Sequence, residues 1–152
     1  MTVRESILEN IKTTLESITE AGGYHNTIAS VQRWKQSGNS LINIPCIVIN
    51  AGQETKEPVP NPFTTCRFTV YLDIWTRQDD SDPASTDAIL NSLLGDVEKA
   101  LMIDVTRGDF AKDTNIRSNV MFETAEGQPH AGIIVELEIV YQHRQTDPEI
   151  AG

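Results

Sequence analysis

The sequence is poor in positive charge. Its 152 residues contain 12 Lys and Arg against 22 Asp and Glu, so the net charge is −10. Proteins that grip nucleic acid through its phosphates normally present a basic patch, and this balance argues against that role. Long apolar runs are also missing, since none approaches the roughly 20 residues of a membrane-spanning helix. The first turn, Met1–Glu5, is mixed in charge and helical in pattern, so we expect neither a signal peptide nor membrane contact.

Cysteine is equally scarce. Cys46 and Cys66 are the two cysteines, and each lies within an apolar stretch. One pair makes no disulfide framework, and without further Cys or His partners it makes no zinc site. We predict two small buried side chains in neighbouring strands and a reducing compartment. A reactive thiol or a disulfide is the alternative.

Motifs of catalysis and cofactor binding are absent. The nine glycines are scattered and form no phosphate-binding loop, and no serine lies in a GxSxG elbow. No histidine has a His or Cys four residues away, which favours surface or hydrogen-bonded roles over metal binding for His25, His130 and His143. One acidic cluster lacks the spacing of a calcium loop and is interpreted as helix capping and solvation: Asp79, Asp80 and Asp82. We therefore expect no metal, no cofactor and no enzymatic activity.

Two segments have the apolar spacing of amphipathic helices. The first follows a Thr2-x-x-Glu5 capping box, and we expect it to end at Gly22–Gly23. The second begins at Asp82–Pro83, where Asp is a good N-cap and Pro a good first helical residue. Each helix has one apolar stripe to bury: Ile7, Leu8, Ile11, Leu15 and Ile18 in the first, and Ile89, Leu90, Leu93, Leu94, Val97 and Leu101 in the second.

Five further segments are predicted strands. The clearest is Thr64–Thr76, in which Cys66, Phe68, Val70, Leu72 and Ile74 share one face. Cys46–Ile49 is apolar throughout, as expected of a strand covered on both sides. The other predicted strands are Thr27–Arg33, Asn115–Thr124 and Ile133–Gln142, with turn residues clustered at Gln36–Ser40 and Glu126–Pro129.

Two stretches are predicted to lie outside regular structure. Gly52–Pro62 contains Pro58, Pro60 and Pro62, and prolines at alternate positions do not suit a sheet ladder, so we expect an extended, functional loop. Arg144–Gly152 is polar and is predicted to be a frayed end. We therefore expect a single domain over residues 1–143 and a flexible tail over 144–152.

The order α-β-β-β-α-β-β predicts an α+β fold. Both helices must bury one stripe, so we expect a two-layer sandwich with two helices on one face of a mostly antiparallel mixed sheet. The opposite sheet face is too charged for a core and too aromatic for plain solvent, which favours contact with a partner. The candidate interface residues are Arg67, Tyr71, Asp73, Trp75, Ile134, Glu136, Glu138 and Val140, with Glu54, Lys56 and Glu57 of the loop.

Carboxylates on that face allow a different interpretation. Glu136 and Glu138 lie two positions apart on one strand, and neighbouring like charges raise a carboxyl pKa, as general acid–base catalysis requires. Together with Asp73 they would make the chain a small enzyme or an acidic ligand-binding module. A solvated strand face accounts for the same residues without catalysis, and we favour it.

The whole pattern resembles the tail terminator, or tail-completion, proteins of long-tailed bacteriophages. The resemblance covers roughly residues 4–143 and rests on element order and apolar pattern. It includes a strand entered through Pro45, the long strand Phe68–Trp75, a helix begun at Pro83 that contains Glu98–Leu101, and the closing strand Glu136–Tyr141.

This resemblance implies an α+β subunit without catalytic residues that assembles into a six-membered ring on the head-proximal end of the tail. Such a ring stops polymerisation of the tail tube and joins the tail to the head connector, while genomic DNA passes through its lumen. The implied partners are further copies of the chain, the tail tube protein and the head–tail connector proteins, and the implied location is the virion neck, after assembly in the host cytoplasm. A negatively charged wall repels DNA phosphates, which suits a conduit. A head-completion or connector subunit of the neck is the alternative.

Overall fold

The computed structural model describes residues 1–34, 43–58, 60, 62–78, 81–123 and 130–152. These residues form two helices and six strands: α1 (Val3–Glu16), β1 (Ser30–Arg33), β2 (Cys46–Pro58), β3 (Phe63–Arg77), α2 (Pro83–Met102), β4 (Asp113–Glu123), β5 (His130–Arg144) and β6 (Asp147–Ala151). The predicted order is confirmed through β5, and β6 is an additional strand. The turns predicted at 36–40 and 126–129, and the predicted solvated residues Asp79 and Asp80, lie outside the described residues.

The strands form one mixed sheet in the order β1-β2-β3-β5-β4, and β6 pairs with the end of β5. The β1–β2 pair is parallel, whereas β2–β3, β3–β5 and β4–β5 are antiparallel. The predicted α+β sheet, mixed and mostly antiparallel, is thus confirmed. The longest pairing joins β3 to β5, from Phe63 opposite Arg144 to Arg77 opposite His130.

Both helices pack on the same side of this sheet. The apolar stripes of α1 and α2 meet alternate residues of the two central strands, in one continuous core. The strand residues in it include Cys66, Phe68, Val70, Leu72 and Ile74 of β3, and Ile133, Val135, Leu137, Ile139 and Tyr141 of β5. This arrangement confirms two helices on one face. The two cysteines are free and buried, as predicted, in the neighbouring strands β2 and β3.

The helix starts agree with the sequence, but the end of α1 does not. The Glu5 amide donates to Thr2 Oγ1 at 3.1 Å, and the Ser85 amide donates to Asp82 Oδ1 at 3.3 Å. α1 ends at Glu16, well before Gly22–Gly23. Ser17 is the C-cap: its amide donates to the Thr13 and Thr14 carbonyls at 3.2 Å each, and its hydroxyl also donates to the Thr14 carbonyl. The two glycines belong to a separate turn, in which Gly23 adopts a φ of 95°.

The prediction of an extended loop at Gly52–Pro62 is wrong over most of its length. β2 continues to Pro58, and Glu54–Pro58 pairs with β3 in regular antiparallel register. A bulge between Ala51 and Glu54 accommodates the one extra residue of β2. The prolines do not prevent this pairing, because Pro58 is the last strand residue and Pro60 and Pro62 fall in the connection to β3.

The end of the chain also differs from the prediction. Arg144 is the last residue of β5, and Asp147–Ala151 forms β6, antiparallel to β5, where a frayed end was expected. The Gly152 amide donates to the Gln142 carbonyl at 3.0 Å, and the Gln145 amide donates to the Pro62 carbonyl at 2.7 Å. These backbone bonds hold a polar segment whose sequence has no apolar alternation.

Candidate functional site

The sheet face that the helices leave uncovered, named here the open face, collects most of the predicted interface. Register places Arg67 opposite Val140, Tyr71 opposite Glu136 and Asp73 opposite Ile134. Because side chains of directly paired residues project to the same side of a sheet, these residues lie together. The structure thus brings together seven predicted residues: Arg67, Tyr71, Asp73, Ile134, Glu136, Glu138 and Val140.

Charges on the open face are partly paired. Glu138 Oε1 lies 2.6 Å from Arg117 Nη2 of β4 and 3.4 Å from Arg67 Nη1 of β3. Both arginine side chains are about half exposed, so each contact contributes at most about 1 kcal/mol to stability. Their main effect is to order three neighbouring strands at the surface. Arg117 was not among the predicted interface residues. A register shift between Ile116 and Ser118 interrupts the alternation of side chains along β4 at this position.

Tyr71 is the aromatic residue at the centre of the open face. It is 37% exposed, and a Cβ atom added to Gly52 would lie 2.8 Å from its Cε2 atom. Glycine at position 52 therefore lets the ring lie directly over the β2 backbone. Next to it, Asn50 Nδ2 donates to Asp73 Oδ2 at 3.1 Å. The ring therefore packs against Gly52 and remains partly exposed.

The prediction that Trp75 is an exposed interface residue is wrong. Register places it on the open face, opposite Cys46 and Gly132, but it is only 8% exposed. It packs in a second small apolar cluster with Cys46, Val48 and Phe122. The Phe122 ring meets it edge-on at a centroid distance of 4.5 Å. Alternation gave the correct side of the sheet, but it carries no information on Phe122, which covers that side at this end.

The three predicted loop residues divide between the two faces. Glu57 pairs with Thr65 and is exposed at the far end of the open face. Glu54 and Lys56 pair with Phe68 and Cys66, so they lie on the helix side. The expectation that Glu54 and Lys56 join the same interface is therefore wrong, because the bulge at Ala51–Glu54 resets the alternation of β2.

Glu54 lies at the centre of a polar cluster on the helix side. It accepts a hydrogen bond from Tyr141 Oη at 2.6 Å and forms ion pairs with Lys56 at 2.8 Å and Arg4 at 3.4 Å. Lys56 Nζ also lies 3.5 Å from Cys66 Sγ. Burial disfavours the charge of Glu54, but the hydrogen bonds from Lys56 and Tyr141 outweigh it, so its pKa lies below the ordinary value.

The same contacts shift the pKa values of the other groups in this cluster. Burial, followed by the contact with Glu54, raises the pKa of the Tyr141 phenol. Burial also acts against the charge of Lys56, yet its hydrogen bond to Glu54 keeps the pKa of that ammonium above the ordinary value. The carboxylate, ammonium and phenol therefore hold fixed protonation states at neutral pH. We name this arrangement the clamp, because its hydrogen bond and ion pairs join β2 to β5 and to α1.

The remaining sequence candidates are scattered. His25 lies in the turn before β1, while His130 and His143 lie at opposite ends of β5. Within the described ranges, no three His, Cys, Asp or Glu side chains are grouped so as to hold a metal ion. Neither helix of the described chain is long and apolar enough to cross a membrane.

No protein-family model matches this chain, and no curated protein matches it. The open face, with Tyr71 at its centre, is therefore the candidate functional site on structural grounds alone.

Proposed function

We propose that this chain is a structural virion protein that closes the head-proximal end of a bacteriophage tail tube as a ring of six subunits. In this proposal the ring ends tail polymerisation and joins the tail to the head connector in the neck. The subunits assemble in the host cytoplasm, and DNA passes through the lumen without sequence-specific binding. The chain has no catalytic role.

The open face is the observation that carries the proposal. A sheet covered on one side by helices is expected to leave a polar, solvated second side. Here that side combines the half-exposed ring of Tyr71 with Ile134, Val140 and several charged residues. A mixed apolar and charged surface of this kind is typical of subunit contacts that must form in water and then exclude it.

The charge balance is the second support. At −10 per chain, six subunits carry 6 × (−10) = −60, so a ring presents a strongly negative wall to DNA. A negative wall repels phosphates and lets DNA slide. The same charge opposes assembly, and added salt screens it, so the ring should form more readily at high ionic strength.

Native mass spectrometry of the purified chain across salt concentrations, with and without isolated tail tubes, tests the proposal. We expect a ring-sized species that increases with salt and caps the tubes. A strict monomer under all conditions, including with tail tubes present, would refute the proposal.

A variant pair tests the open face directly. Tyr71→Ala should keep the fold and weaken assembly or capping at least about tenfold, since aromatic anchors dominate interfaces. Ile89→Ala is the matched control, because Ile89 is a similarly exposed apolar residue on α2. Equal assembly of both variants and the unmodified chain would show that the open face makes no such contact.

A further inference from the structure

A histidine of β5, His143, adjoins the clamp. It lies on the same side of the sheet as Tyr141, which precedes it by two positions on the same strand. Its Nε2 atom lies 3.3 Å from Lys56 Nζ, and its Nδ1 atom lies 2.8 Å from the backbone carbonyl oxygen of Arg144. Each ring nitrogen therefore has a polar partner, one on β2 across the intervening strand β3 and one on β5 itself.

These two contacts determine which ring nitrogen carries the proton. An ammonium group can only donate a hydrogen bond, and a carbonyl oxygen can only accept one. Both contacts are hydrogen bonds only when Nδ1 carries the proton and Nε2 is bare. In this arrangement His143 is neutral, donates to the Arg144 carbonyl and accepts from Lys56.

Lys56 has a matching set of acceptors. An ammonium group has three N–H donors. The Lys56 Nζ atom lies near three acceptor atoms: Glu54 Oε2 at 2.8 Å, Cys66 Sγ at 3.5 Å and His143 Nε2 at 3.3 Å. The Lys56 side chain is 51% exposed, whereas that of Glu54 is 8% exposed. Lys56 can therefore turn to solvent when one of its acceptors is lost, and Glu54 cannot.

We propose that His143 makes the clamp sensitive to pH. Imidazole is the side chain that ordinarily changes charge between about pH 5 and 8. When His143 gains its second proton, Nε2 becomes a donor, and two positive charges face each other across the 3.3 Å contact with Lys56. Lys56 then turns to solvent. The hydrogen bond between Glu54 and Tyr141 remains, so acid removes one of the two side-chain links described above between β2 and β5.

The strands on either side of His143 do not offset the added charge. His143 pairs with Thr64 of β3 and with Ala151 of β6, and both are uncharged. Both carboxylates of β6 already accept a hydrogen bond within the chain: Asp147 from the Glu149 amide at 3.0 Å, and Glu149 from the Met1 ammonium at 2.9 Å.

The other titratable neighbours of His143 are cations, are paired with cations or are neutral. Glu54, the carboxylate that binds Lys56, also forms an ion pair with Arg4 of α1. The Tyr141 ring centroid lies 6.2 Å from that of His143, and this phenol is neutral because burial raises its pKa. The next residue on β5 is Arg144, a further cation. A second proton on His143 therefore adds positive charge beside an existing cation, which is unfavourable.

The direction of the pH effect follows from this contact. Protonation of His143 costs free energy in the folded chain and not in the unfolded one. The stabilisation is therefore complete at mildly alkaline pH and is lost as the pH falls toward about 5. Glu54 is protonated only below this range, because its pKa lies under the ordinary value of 4.5. The inference concerns the isolated chain and does not depend on the proposed ring.

Nitrogen NMR of the isotope-labelled chain tests the proton assignment. Imidazole nitrogens that carry a proton differ in chemical shift from bare ones, so the spectrum reports which nitrogen is protonated. At about pH 8 we expect His143 to have a protonated Nδ1 and a bare Nε2. A protonated Nε2 at this pH would overturn the inference, because Lys56 would then have no acceptor there.

Urea denaturation between about pH 8 and about pH 5.5 tests the effect on stability. The folding equilibrium constant of the unmodified chain should fall at least about threefold more over this range than that of His143→Gln, whose amide oxygen accepts from Lys56 at either pH. His25→Gln replaces an exposed histidine and is the matched control, which should keep the full fall. Equal falls in the unmodified chain and His143→Gln overturn the inference, and so does loss of the effect in His25→Gln.

A lysine variant tests the partner of His143. Lys56→Met removes the ammonium that faces the imidazole, so its fall over the same pH range should shrink to that of His143→Gln. Combining the two substitutions should reduce the fall no further, since both remove the same contact. An undiminished fall in Lys56→Met would show that His143 acts through another group, which overturns the inference.

Discussion

Tyr141 and Glu54 are hydrogen-bonded across an intervening strand. Tyr141 lies in β5 and Glu54 in β2, and β3 separates the two. Their side chains reach over the Cys66 and Phe68 positions of β3 and meet at 2.6 Å between Oη and Oε1. This contact fixes the long β2–β3 hairpin against the central strand, on the side where Arg4 of α1 also contacts Glu54.

Tyr141→Phe should therefore destabilise the fold. The substitution removes a buried donor to a carboxylate without changing the packing of the ring, and hydrogen bonds to charged groups contribute about 1.5–3 kcal/mol. Urea denaturation measures the loss in the free energy of unfolding. Tyr71→Phe, in the half-exposed ring of the open face, should change it by less than about 0.5 kcal/mol. Equal effects in the two variants would contradict the clamp.

Acid should remove the contribution of Glu54. Its pKa is lower in the folded chain than the ordinary value of 4.5, so its stabilisation is complete above that value and is lost as the pH falls from there through the lowered value. Glu54→Gln should be less stable than the unmodified chain at neutral pH, and the difference should shrink over this acidic range. Denaturation midpoints at a series of pH values check this. A difference that stays constant with pH would show that the carboxylate charge contributes nothing.

Trp75→Ala should impair folding rather than assembly. The side chain is buried against Phe122, Cys46 and Val48, and removing a large buried aromatic costs about 3–5 kcal/mol. Trp34→Ala, at the exposed tryptophan, should leave the free energy of unfolding within about 0.5 kcal/mol. Chemical denaturation of both variants is the measurement. A fully stable Trp75→Ala variant would mean that the second cluster contributes little.

Arg107 should act as a buried cap on α2. Its guanidinium is fully buried and donates to the carbonyl oxygens of Leu101 and Asp104, where the negative end of the helix dipole also favours a cation. Arg107→Met keeps most of the volume but leaves both carbonyls without this donor, so we expect a loss of about 1–3 kcal/mol. Arg117→Met, on the half-exposed surface, is the control. Greater stability of Arg107→Met would show that desolvation of the buried charge outweighs its hydrogen bonds.

Asp96 should anchor the turn before β1 to α2. It is buried, and its carboxylate accepts from the His25 amide at 3.2 Å and from the Asn26 amide and Nδ2 at 2.9 Å each. Asp96→Asn replaces one acceptor with a donor that faces other donors, so the free energy of unfolding should fall by about 1–3 kcal/mol. Asp87→Asn, exposed on the same helix, should have no measurable effect. Thermal unfolding of the two variants side by side checks this.

Local patterns predicted the elements well because each depends on neighbouring residues. The cap at Thr2, the start at Asp82–Pro83 and the alternation through β3 each record an interaction within a few positions of sequence. The two-layer arrangement follows from them, since single apolar stripes and faces have few ways to be buried together.

The sequence-based predictions were wrong where contacts between residues distant in sequence determine the structure. Pro58 suggested a loop, but it is the last residue of β2 and pairs with β3, the strand that follows the connection. Trp75 lies on the predicted side of the sheet, but Phe122 of another strand covers it there. Glu54 was predicted to lie in a loop, but it lies on the helix side of β2, after a bulge between Ala51 and Glu54 whose one local mark is Gly52. The composition of the open face was therefore predictable in its centre and unpredictable at its ends.

The two tryptophans of this chain lie in contrasting environments, and this gives it two intrinsic optical probes. Trp75 is enclosed by apolar side chains, so its emission should shift to longer wavelength only when the chain unfolds. Trp34 is open to solvent at the β1 edge, so a soluble quencher such as acrylamide should reach it in the free chain. If copies associate through a surface that covers Trp34, quenching of Trp34 should fall while the emission of Trp75 stays unchanged. Unlabelled protein in a cuvette can thus distinguish subunit contact from folding.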